Sequence, residues 1–513
     1  MPAPKMRSDL NAENFSPSLP PNDFSDAPEL DTRSVANDPD RSPRSAFIAR
    51  MLGFALRQHR AAGFSEAENI YRQILAVDAN HADSLHLLGM IEFQAGNHAA
   101  AVGMIRRAIE IDKTQAAYHS NLGTVLQSQG GLDEAVMCYQ RALTLQPDSP
   151  EIHTNLGNIF HAQDRVDEAI ACHERALALK PDLAEVHYNL GLAQLLKGDF
   201  SSGWPNLEWR WQTKDHDTPM RAYPQPLWTG EKVESGRVLI WGEQGVGDEI
   251  MFAGLVPDAM RTGTRCILDC DPRLQSLFAR SFPGVDVVSA FSAGNDSEHH
   301  PEADIAAHIP SGSLRGLFRP SCASFAATTS PYLIADPAER EQFRGRYSDG
   351  RRLVGLSWHT RNQKTGRDRS IDLSLLAPLF ERTDIQWVSL QYGDHDALQN
   401  QAANAPILID RSVDQLADID IFASQIAALD LVITIDNSTA HLAGALGVPV
   451  WVLLPFARDW RWLRVREDSP WYPTMRLFRQ PRRGNWHSVI QKVLSALSTF
   501  IDSESGNTCP LGR

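Results

Sequence analysis

Apolar and polar positions along this chain keep two different rhythms. From about Ile48 into the 190s, apolar residues fall at helical spacing and the whole pattern repeats. The pairs Leu88-Gly89, Leu122-Gly123, Leu156-Gly157 and Leu190-Gly191 stand 34 residues apart. Ala101, Ala135 and Ala169 keep that interval, as do Ala108, Ala142 and Ala176, and Pro147 and Pro181 follow the second helices of their units. A less regular unit comes first, with Ala67 and Tyr71 at the matching positions. Small residues at fixed offsets predict helix pairs whose backbones approach closely. Each Leu-Gly glycine then lies inside a first helix, where a neighbouring helix leaves no space for a side chain.

A period of 34 residues carrying two helices is the tetratricopeptide signature. The fifth unit opens as a repeat over 186–196, then GDFSSGWPNLEWRWQ replaces the second-helix pattern and brings in Trp204, Trp209 and Trp211. These aromatics are expected to cap the solenoid and to form its joint with the following domain.

From about residue 227 the rhythm changes. Short apolar runs predict strands at 237–241, 265–268 and 285–288, then at 353–358, 385–390, 431–435 and 448–454. Helical stretches at 249–260, 373–381 and 421–429 lie between them. Such alternation predicts parallel sheets covered on both faces, with ligands beyond the carboxyl ends of the strands. Two groups in tandem predict two lobes facing one cleft. Residues 1–45, rich in Pro, Ser, Asp and Asn, hold too little apolar surface to offset their ordering entropy and are expected to be disordered. The expected divisions are therefore 1–45, a repeat region at 46–212, lobes at 213–335 and 336–505, and a tail at 506–513.

Composition narrows the function classes. The 513 residues are 42% hydrophobic and 22% charged, ordinary for globular chains. A formal net charge of -14 argues against nucleic acid as the main partner, since phosphate binding needs a basic footprint. The opening MPAPKMRSDLNAENF holds no apolar run, and no stretch approaches the roughly 20 apolar residues of a membrane span. A cytoplasmic protein without a signal peptide is expected. Cys138, Cys172, Cys266, Cys270, Cys322 and Cys509 include no C-x-x-C pair, so reduced thiols are expected and no metal site.

Three segments carry candidate chemistry. After the first strand comes Gly242-Glu243-Gln244-Gly245-Val246-Gly247-Asp248, with Asp248 near a helix start. A dinucleotide fingerprint would need glycine where Ile250 stands. The readings left are a plain glycine turn, or a cleft loop of Glu243, Gln244, Gly245 and Gly247 presenting Asp248 as a base. Asp269-Cys270-Asp271 runs into Pro272, so helix capping is expected there rather than metal binding. In the second lobe, His359, Arg361, Lys364, Arg367 and Arg369 follow a strand, where they suit a diphosphate or form a solvated loop. The strand 431–435 then delivers Asp436-Asn437-Ser438-Thr439-Ala440-His441. Ser438 and Thr439 are expected to cap a helix whose free amides suit a phosphate, with His441 in its first turn.

At these residues the chain resembles the heptosyltransferase-like glycosyltransferases. Gly247-Asp248 resembles that family's catalytic Gly-Asp pair, and Asp436 and His441 match its D-T-G-x-x-H motif, with Asn437 and Ser438 in place of Thr-Gly. Arg369-Ser370-Ile371 only loosely represents the family's basic Lys-Arg-Trp-Pro segment. The resemblance covers roughly 235–500, and repeats ahead of such a half are similar in layout to protein O-GlcNAc transferases. The stretches PFARDWRW (455–462) and EDSPWYPTMRLFRQ (467–480) fit the same group. What the resemblance implies is an α-solenoid followed by an α/β GT-B pair of Rossmann-like domains. It also implies Asp248 as catalytic base and a nucleotide-sugar donor held by His359, Arg361, Lys364, Arg367, Arg369, Asp436, Asn437, Ser438, Thr439 and His441. No cofactor or metal is then required. Asn121, Asn155 and Asn189, also 34 residues apart, are expected to form a ladder that grips a polypeptide acceptor. Two other readings stay open: a repeat-based adaptor with a degenerate transferase half, and a heptosyltransferase-like enzyme acting on a saccharide.

Overall fold

The computed structural model describes residues 42–214, 216, 218–289, 304–327, 331–362, 366–403 and 405–505. The expected disordered segment falls almost wholly outside these residues, as do Lys364 and the tail. Backbone packing divides the chain into two compact units that meet in sequence at Leu190 and Gly191.

The first unit is helical. Its helices are α1 (Pro43–Arg60), α2 (Phe64–Val77), α3 (Ala82–Gln94), α4 (His98–Ile111), α5 (Ala116–Ser128), α6 (Leu132–Leu145), α7 (Pro150–Ala162) and α8 (Val166–Leu179). The helix α9 (Ala184–Lys197) spans the division. The repeat glycines do what their spacing predicts. A Cβ at Gly89, Gly123 or Gly157 would stand 2.9, 3.0 or 2.7 Å from Ile105, Tyr139 or His173 on the paired helix. Ala67, Ala101, Ala135 and Ala169 are fully buried where the helices touch. The turn inside each pair has its own requirement, which the Leu-Gly pattern does not reveal. Residues 62, 96, 130, 164 and 198 all have φ between 59° and 92°, the left-handed region. Gly96, Gly130 and Gly198 take it without cost, whereas Ala62 and Asp164 carry a Cβ there.

The second unit carries two parallel sheets. It opens with α10 (Phe200–Leu207) and a 3₁₀ turn at Glu208–Gln212. The first sheet contains β1 (Arg237–Trp241), β2 (Cys266–Asp269), β3 (Asp286–Val288) and β4 (Ile305–Pro310), in the order β3-β2-β1-β4. Between β1 and β2 lie α11 (Val246–Ala253) and α12 (Val256–Arg261), and α13 (Gln275–Ser281) follows β2. The single helix expected at 249–260 is thus two, with Pro257 in the first turn of the second. After α14 (Leu314–Phe318) and α15 (Pro337–Tyr347) comes the second sheet. Its strands are β5 (Arg352–Ser357), β6 (Ile385–Ser389), β7 (Ile407–Leu408), β8 (Leu431–Ile435), β9 (Val450–Leu454) and β10 (Met475–Arg479), ordered β10-β9-β8-β5-β6-β7. Its helices are α16 (Gly366–Arg369), α17 (His395–Gln401), α18 (Ile419–Ala427), α19 (Ser438–Ala445) and α20 (Trp486–Ser505). The stretch 373–381 is 3₁₀ rather than α, with Pro378 inside it. Leu356, Trp387, Ile433 and Ile435 pack with Val489 and Val493 of α20 into this lobe's core.

The tryptophan segment belongs to the same compact unit as the sheets. Trp204 donates its indole N–H to the Arg319 carbonyl at 2.7 Å and meets the Trp460 ring edge-on at 5.4 Å. Arg210, fully buried, grips the Glu243 carboxylate through Nε and Nη2 at 2.9 Å each.

Candidate functional site

Strand order decides where a ligand site belongs. In the first sheet the chain proceeds outward through β1, β2 and β3, and β4 then returns to the opposite side of β1. In the second, β5, β6 and β7 proceed one way and β8 starts the other side of β5. The crevice at such a reversal, beyond the carboxyl ends of the strands, is where parallel sheets bind ligands. The segment 242–248 follows β1 and enters α11, the segment 358–370 follows β5 and contains α16, and the segment 436–438 follows β8 and opens α19. All three candidate segments therefore lie at the two reversal points.

Asp248, in the first turn of α11, is only 4% exposed. Its carboxylate accepts from Arg461 of the other lobe, at 3.2 Å from Nε and 2.5 Å from Nη2. The Nη1 of Arg461 binds Asp459 at 3.1 Å. Beside this chain, Arg369 donates from Nη1 to the Asp436 carbonyl at 3.3 Å, with Nε 3.6 Å from the Asp436 carboxylate. Three carboxylates and two guanidiniums thus share a space closed to water. Burial drives the Asp459 carboxyl above its usual range, Arg461 opposes that, and neighbouring Asp436 adds to it.

α19 starts in the same place. Its cap is Asn437, which corrects the expectation that Ser438 and Thr439 supply it. Asn437 Oδ1 accepts from the Ala440 N–H at 3.3 Å and from Thr434 at 3.0 Å, while Nδ2 donates to Ser357 at 3.0 Å. Asn437 is thereby committed to holding the strand end and the helix start together. Thr439 is buried, and Ser438 faces the other lobe, its Cα 3.4 Å from where a Cβ on Gly247 would stand. His441 lies one turn in, stacked on Trp462 with ring centres 5.1 Å apart, its Nδ1 2.9 Å from the Tyr472 hydroxyl. Burial lowers its pKa to about 3, helped by Arg461 and Arg369, so the ring is neutral near pH 7.

The other expected residues divide. Of the basic loop, Arg369 turns inward, Arg361 and Arg367 stay exposed, and Lys364 lies outside the described residues. Arg361 sits over the Tyr392 ring. His359 is exposed, its peptide held at both ends by the Gln391 amide. Glu243 does not line the cleft, because Arg210 and the Gly312 N–H take its carboxylate. Gln244, at φ 64°, is held by Thr218, and Gly245 precedes α11 as its cap position. Asp271 caps the 3₁₀ turn Pro272–Leu274 as expected, and Asp269 pairs with Arg221. Glu249, next to the candidate base, is driven to about 8, chiefly by burial, and accepts from the Asp271 N–H at 2.8 Å.

Sequence reasoning assigned no role to Arg461, Asp459, Trp462, Tyr472 or Tyr332. One local signal marks the first three: Leu463, immediately after them, is buried yet adopts φ 53°, a strained backbone of the kind found at functional sites.

Space around these groups is uneven. The crevice lined by Val246, Ile250, Arg273, Ser438 and Leu442 leaves about 20 Å³, room for a water. A cavity of about 450 Å³ in the second lobe is bounded by Trp358, His359, Ile371, Asp372, Phe380 and Gln401. That is within the range of small-molecule pockets.

On the first helices of the solenoid, Asn121, Asn155 and Asn189 are each half-buried. The Asn121 amide donates to His86 at 2.8 Å and the Asn189 amide to Asn158 at 3.1 Å. Two of the three therefore tie one first helix to the one before it.

Residues 52–116 match the family described as tetratricopeptide repeat, and residues 128–164 and 157–198 match the TPR repeat. Protein FlbA of Caulobacter vibrioides is 31% identical over 328 residues, covering 60% of this chain, and the chain spans about half (54%) of that relative's length. Among solved structures, MamA is 22% identical over 30% of this chain and 91% of its own, with a TM-score of 0.28. Pseudomonas aeruginosa pilF is 19% identical over 33% of this chain and 78% of its own, at 0.31. YrrB, described as a TPR protein with an unusual peptide-binding site, is 19% identical over 33% and 90%, at 0.28. With the 34-residue period and the glycine contacts, the family matches establish that the chain carries a tetratricopeptide array, the kind of repeat that binds peptide or protein partners.

Proposed function

We propose that the sheet-bearing half is a glycosyltransferase that moves a sugar from a nucleotide-sugar donor to a polypeptide gripped by the asparagine ladder of the repeats. The observation that carries this reading is the convergence of both reversal points on Asp248, Arg369, Arg461 and the start of α19. Sugar transfer needs an activated hydroxyl, positive charge at the departing diphosphate and exclusion of water. Asp248 supplies the base; Arg369, Arg361 and the amides opening α19 supply the charge. The nucleotide occupies the cavity beside Trp358 and His359. Donor entry requires the two lobes to part, since Asp248 is only 4% exposed, and parting frees Asp248 from Arg461.

That same ion pair favours a second reading, in which the half binds without turnover and the repeats recruit a partner. Calorimetry with ADP-, UDP- and GDP-sugars, followed by transfer assays on polypeptide acceptors, separates the two. Asp248→Asn is expected to keep donor affinity and lose about a hundred- to ten-thousand-fold in transfer. Donor binding with no turnover in the wild type establishes the binding-only reading; normal turnover in Asp248→Asn removes the base.

A further inference from the structure

Backbone amides in an unbroken row, from Trp358 to Asn362, are taken by side chains. Trp358 and His359 both donate to Gln391 Oε1, at 3.0 and 2.8 Å. Thr360 donates to Ser370 Oγ at 3.1 Å, Arg361 to the Tyr392 hydroxyl at 2.8 Å and Asn362 to Thr360 Oγ1 at 3.3 Å. Each amide has one proton, so this loop has no main-chain donor left for an anion, and side chains dictate its path. Gln391 does most of the holding, since its Nε2 also donates to the carbonyls of His359 at 3.0 Å and Tyr392 at 3.2 Å. Backbone amides only donate and carbonyls only accept, so these neighbours settle which way the Gln391 amide points.

Gln391 belongs to a row of buried side chains that bridges the carboxyl ends of adjacent strands. It follows β6, Ser357 ends β5 and Asn437 follows β8, and these strands are neighbours in the order β8-β5-β6. None of the three is more than 4% exposed. Asn437 Oδ1 accepts from the Ala440 N–H, which turns Nδ2 to the Ser357 hydroxyl at 3.0 Å. Having accepted there, Ser357 directs its own proton to Gln391 Oε1 over 3.4 Å. That contact is long, but the row does not depend on it, because Gln391 also holds the N–H of the peptide joining Ser357 to Trp358. One end of the row thus starts α19, and the other fixes Trp358 and His359 in the wall of the cavity of about 450 Å³. Beside Asn437, Arg369 bonds the Asp436 carbonyl through Nη1, and its Nη2 is buried without a hydrogen-bond partner among the described residues. That spare guanidinium donor and the opening amides of α19, which have no acceptor within the helix, suit phosphate oxygens.

We infer that Gln391 is a positioning residue that, through Ser357 and Asn437, sets the distance between the phosphate-binding start of α19 and the cavity at Trp358 and His359, matching it to the two ends of a nucleoside diphosphate. Both polar atoms of Gln391 are occupied by protein groups, so it acts through the loop and not on the ligand. A two-ended ligand gains from its linkage only when its two subsites are held at the spacing of its own ends. With the row intact, the second end meets its subsite at high effective concentration and no ordering cost. With the row broken, each subsite still takes its own fragment, but the linked ligand loses its advantage. The class of ligand rests on the transferase reading; the row of side chains does not.

The test is calorimetry on the full chain with ADP, UDP and GDP, then with the nucleoside of whichever binds and with inorganic pyrophosphate, the weak fragments being read by competition. Gln391→Leu is expected to bind that diphosphate about thirtyfold more weakly, while the nucleoside and pyrophosphate each change by less than about threefold. Ser357→Ala removes the acceptor of Asn437 and leaves the grip of Gln391 on the loop, so it remains informative should Gln391→Leu not fold. It is expected to show the same pattern at about tenfold. Unchanged diphosphate affinity in either folded variant overturns the positioning role. So does a loss of nucleoside or pyrophosphate binding as large as that of the diphosphate, since the residues would then shape one subsite and not the spacing. The expected pattern without sugar transfer from the matching nucleotide-sugar supports the positioning role and removes the transferase reading. Binding of none of the three by the wild type overturns both.

Discussion

Acid should unfold the solenoid before it unfolds the sheets, and one substitution should blunt the effect. The buried histidines of the helical unit include His59, His86, His161 and His173. Burial lowers the first three to about 4 and His173 to about 3. His173 is the most exposed to this penalty, since neither ring nitrogen has a hydrogen-bond partner and His161 lies near enough to lower it further. An unfolded chain protonates such a histidine near pH 6.5, whereas the folded one does not. Stability is therefore complete above 6.5 and is lost as pH falls from there towards 3. At pH 5 a shift from 6.5 to about 3 corresponds to about 2 kcal/mol for this one residue. A domain's whole stability is roughly 5–15 kcal/mol, so the loss is large. The substitution is His173→Tyr. Tyrosine already occupies this position at Tyr71 and Tyr139, the latter packed on Gly123 as His173 packs on Gly157. Tyr139 bonds Thr124 at 2.9 Å, and Asn158 stands where the new phenol would find the equivalent partner. Every tryptophan lies at Trp204 or later, so tryptophan fluorescence reports the sheet-bearing unit while far-UV circular dichroism is dominated by the helices. Urea titrations between pH 8 and pH 5, followed by both signals, are expected to show the helical transition weakening with acid. The loss between pH 7 and pH 5 should be about 2 kcal/mol smaller in His173→Tyr. An identical pH dependence in wild type and variant would refute the assignment.

Three further substitutions address stability. Ala62→Gly removes a Cβ from a left-handed turn position and is expected to raise the circular-dichroism midpoint by about 1 kcal/mol, whereas Gly130→Ala at the equivalent turn should lower it by a similar amount. Arg461→Met leaves Asp248 and Asp459 buried without their guanidinium and is expected to cost about 3–5 kcal/mol by tryptophan fluorescence, with part of the loss recovered at low pH as the carboxyls take protons.

How much was legible in the sequence depended on how far each residue's partner lies. Gly89, Gly123 and Gly157 were readable because their obstacle stands sixteen residues later in every repeat, so one contact is written several times. The left-handed turns escaped notice because Ala62 and Asp164 interrupt the glycine that marks the others. The strands β1, β5 and β8 announced themselves as short runs rich in Leu, Val and Ile. β4 did not, because its centre is Ala-Ala-His, residues that favour no strand until packing against β1 decides the matter. The segments at the reversal points were visible as glycines, cations and carboxylates following apolar runs.

Their pairing was not visible, and here the physics differs. Asp248 and Arg461 are 213 residues apart, and neither has a local feature that names the other. Glu243 read as a cleft residue because it shares a glycine-rich loop with Asp248. Only the fold shows that Arg210 consumes it, turning an apparent site carboxylate into the tie between the tryptophan segment and β1. His441 is the subtler case. Its place in the first turn of α19 followed from the strand ahead of it, but its chemistry depends on which nitrogen holds the proton. Its Nδ1 lies 2.9 Å from the Tyr472 hydroxyl, a group 31 residues away that no local pattern announces. A motif can therefore state where a histidine stands, while the acceptor or donor it presents belongs to the surrounding fold.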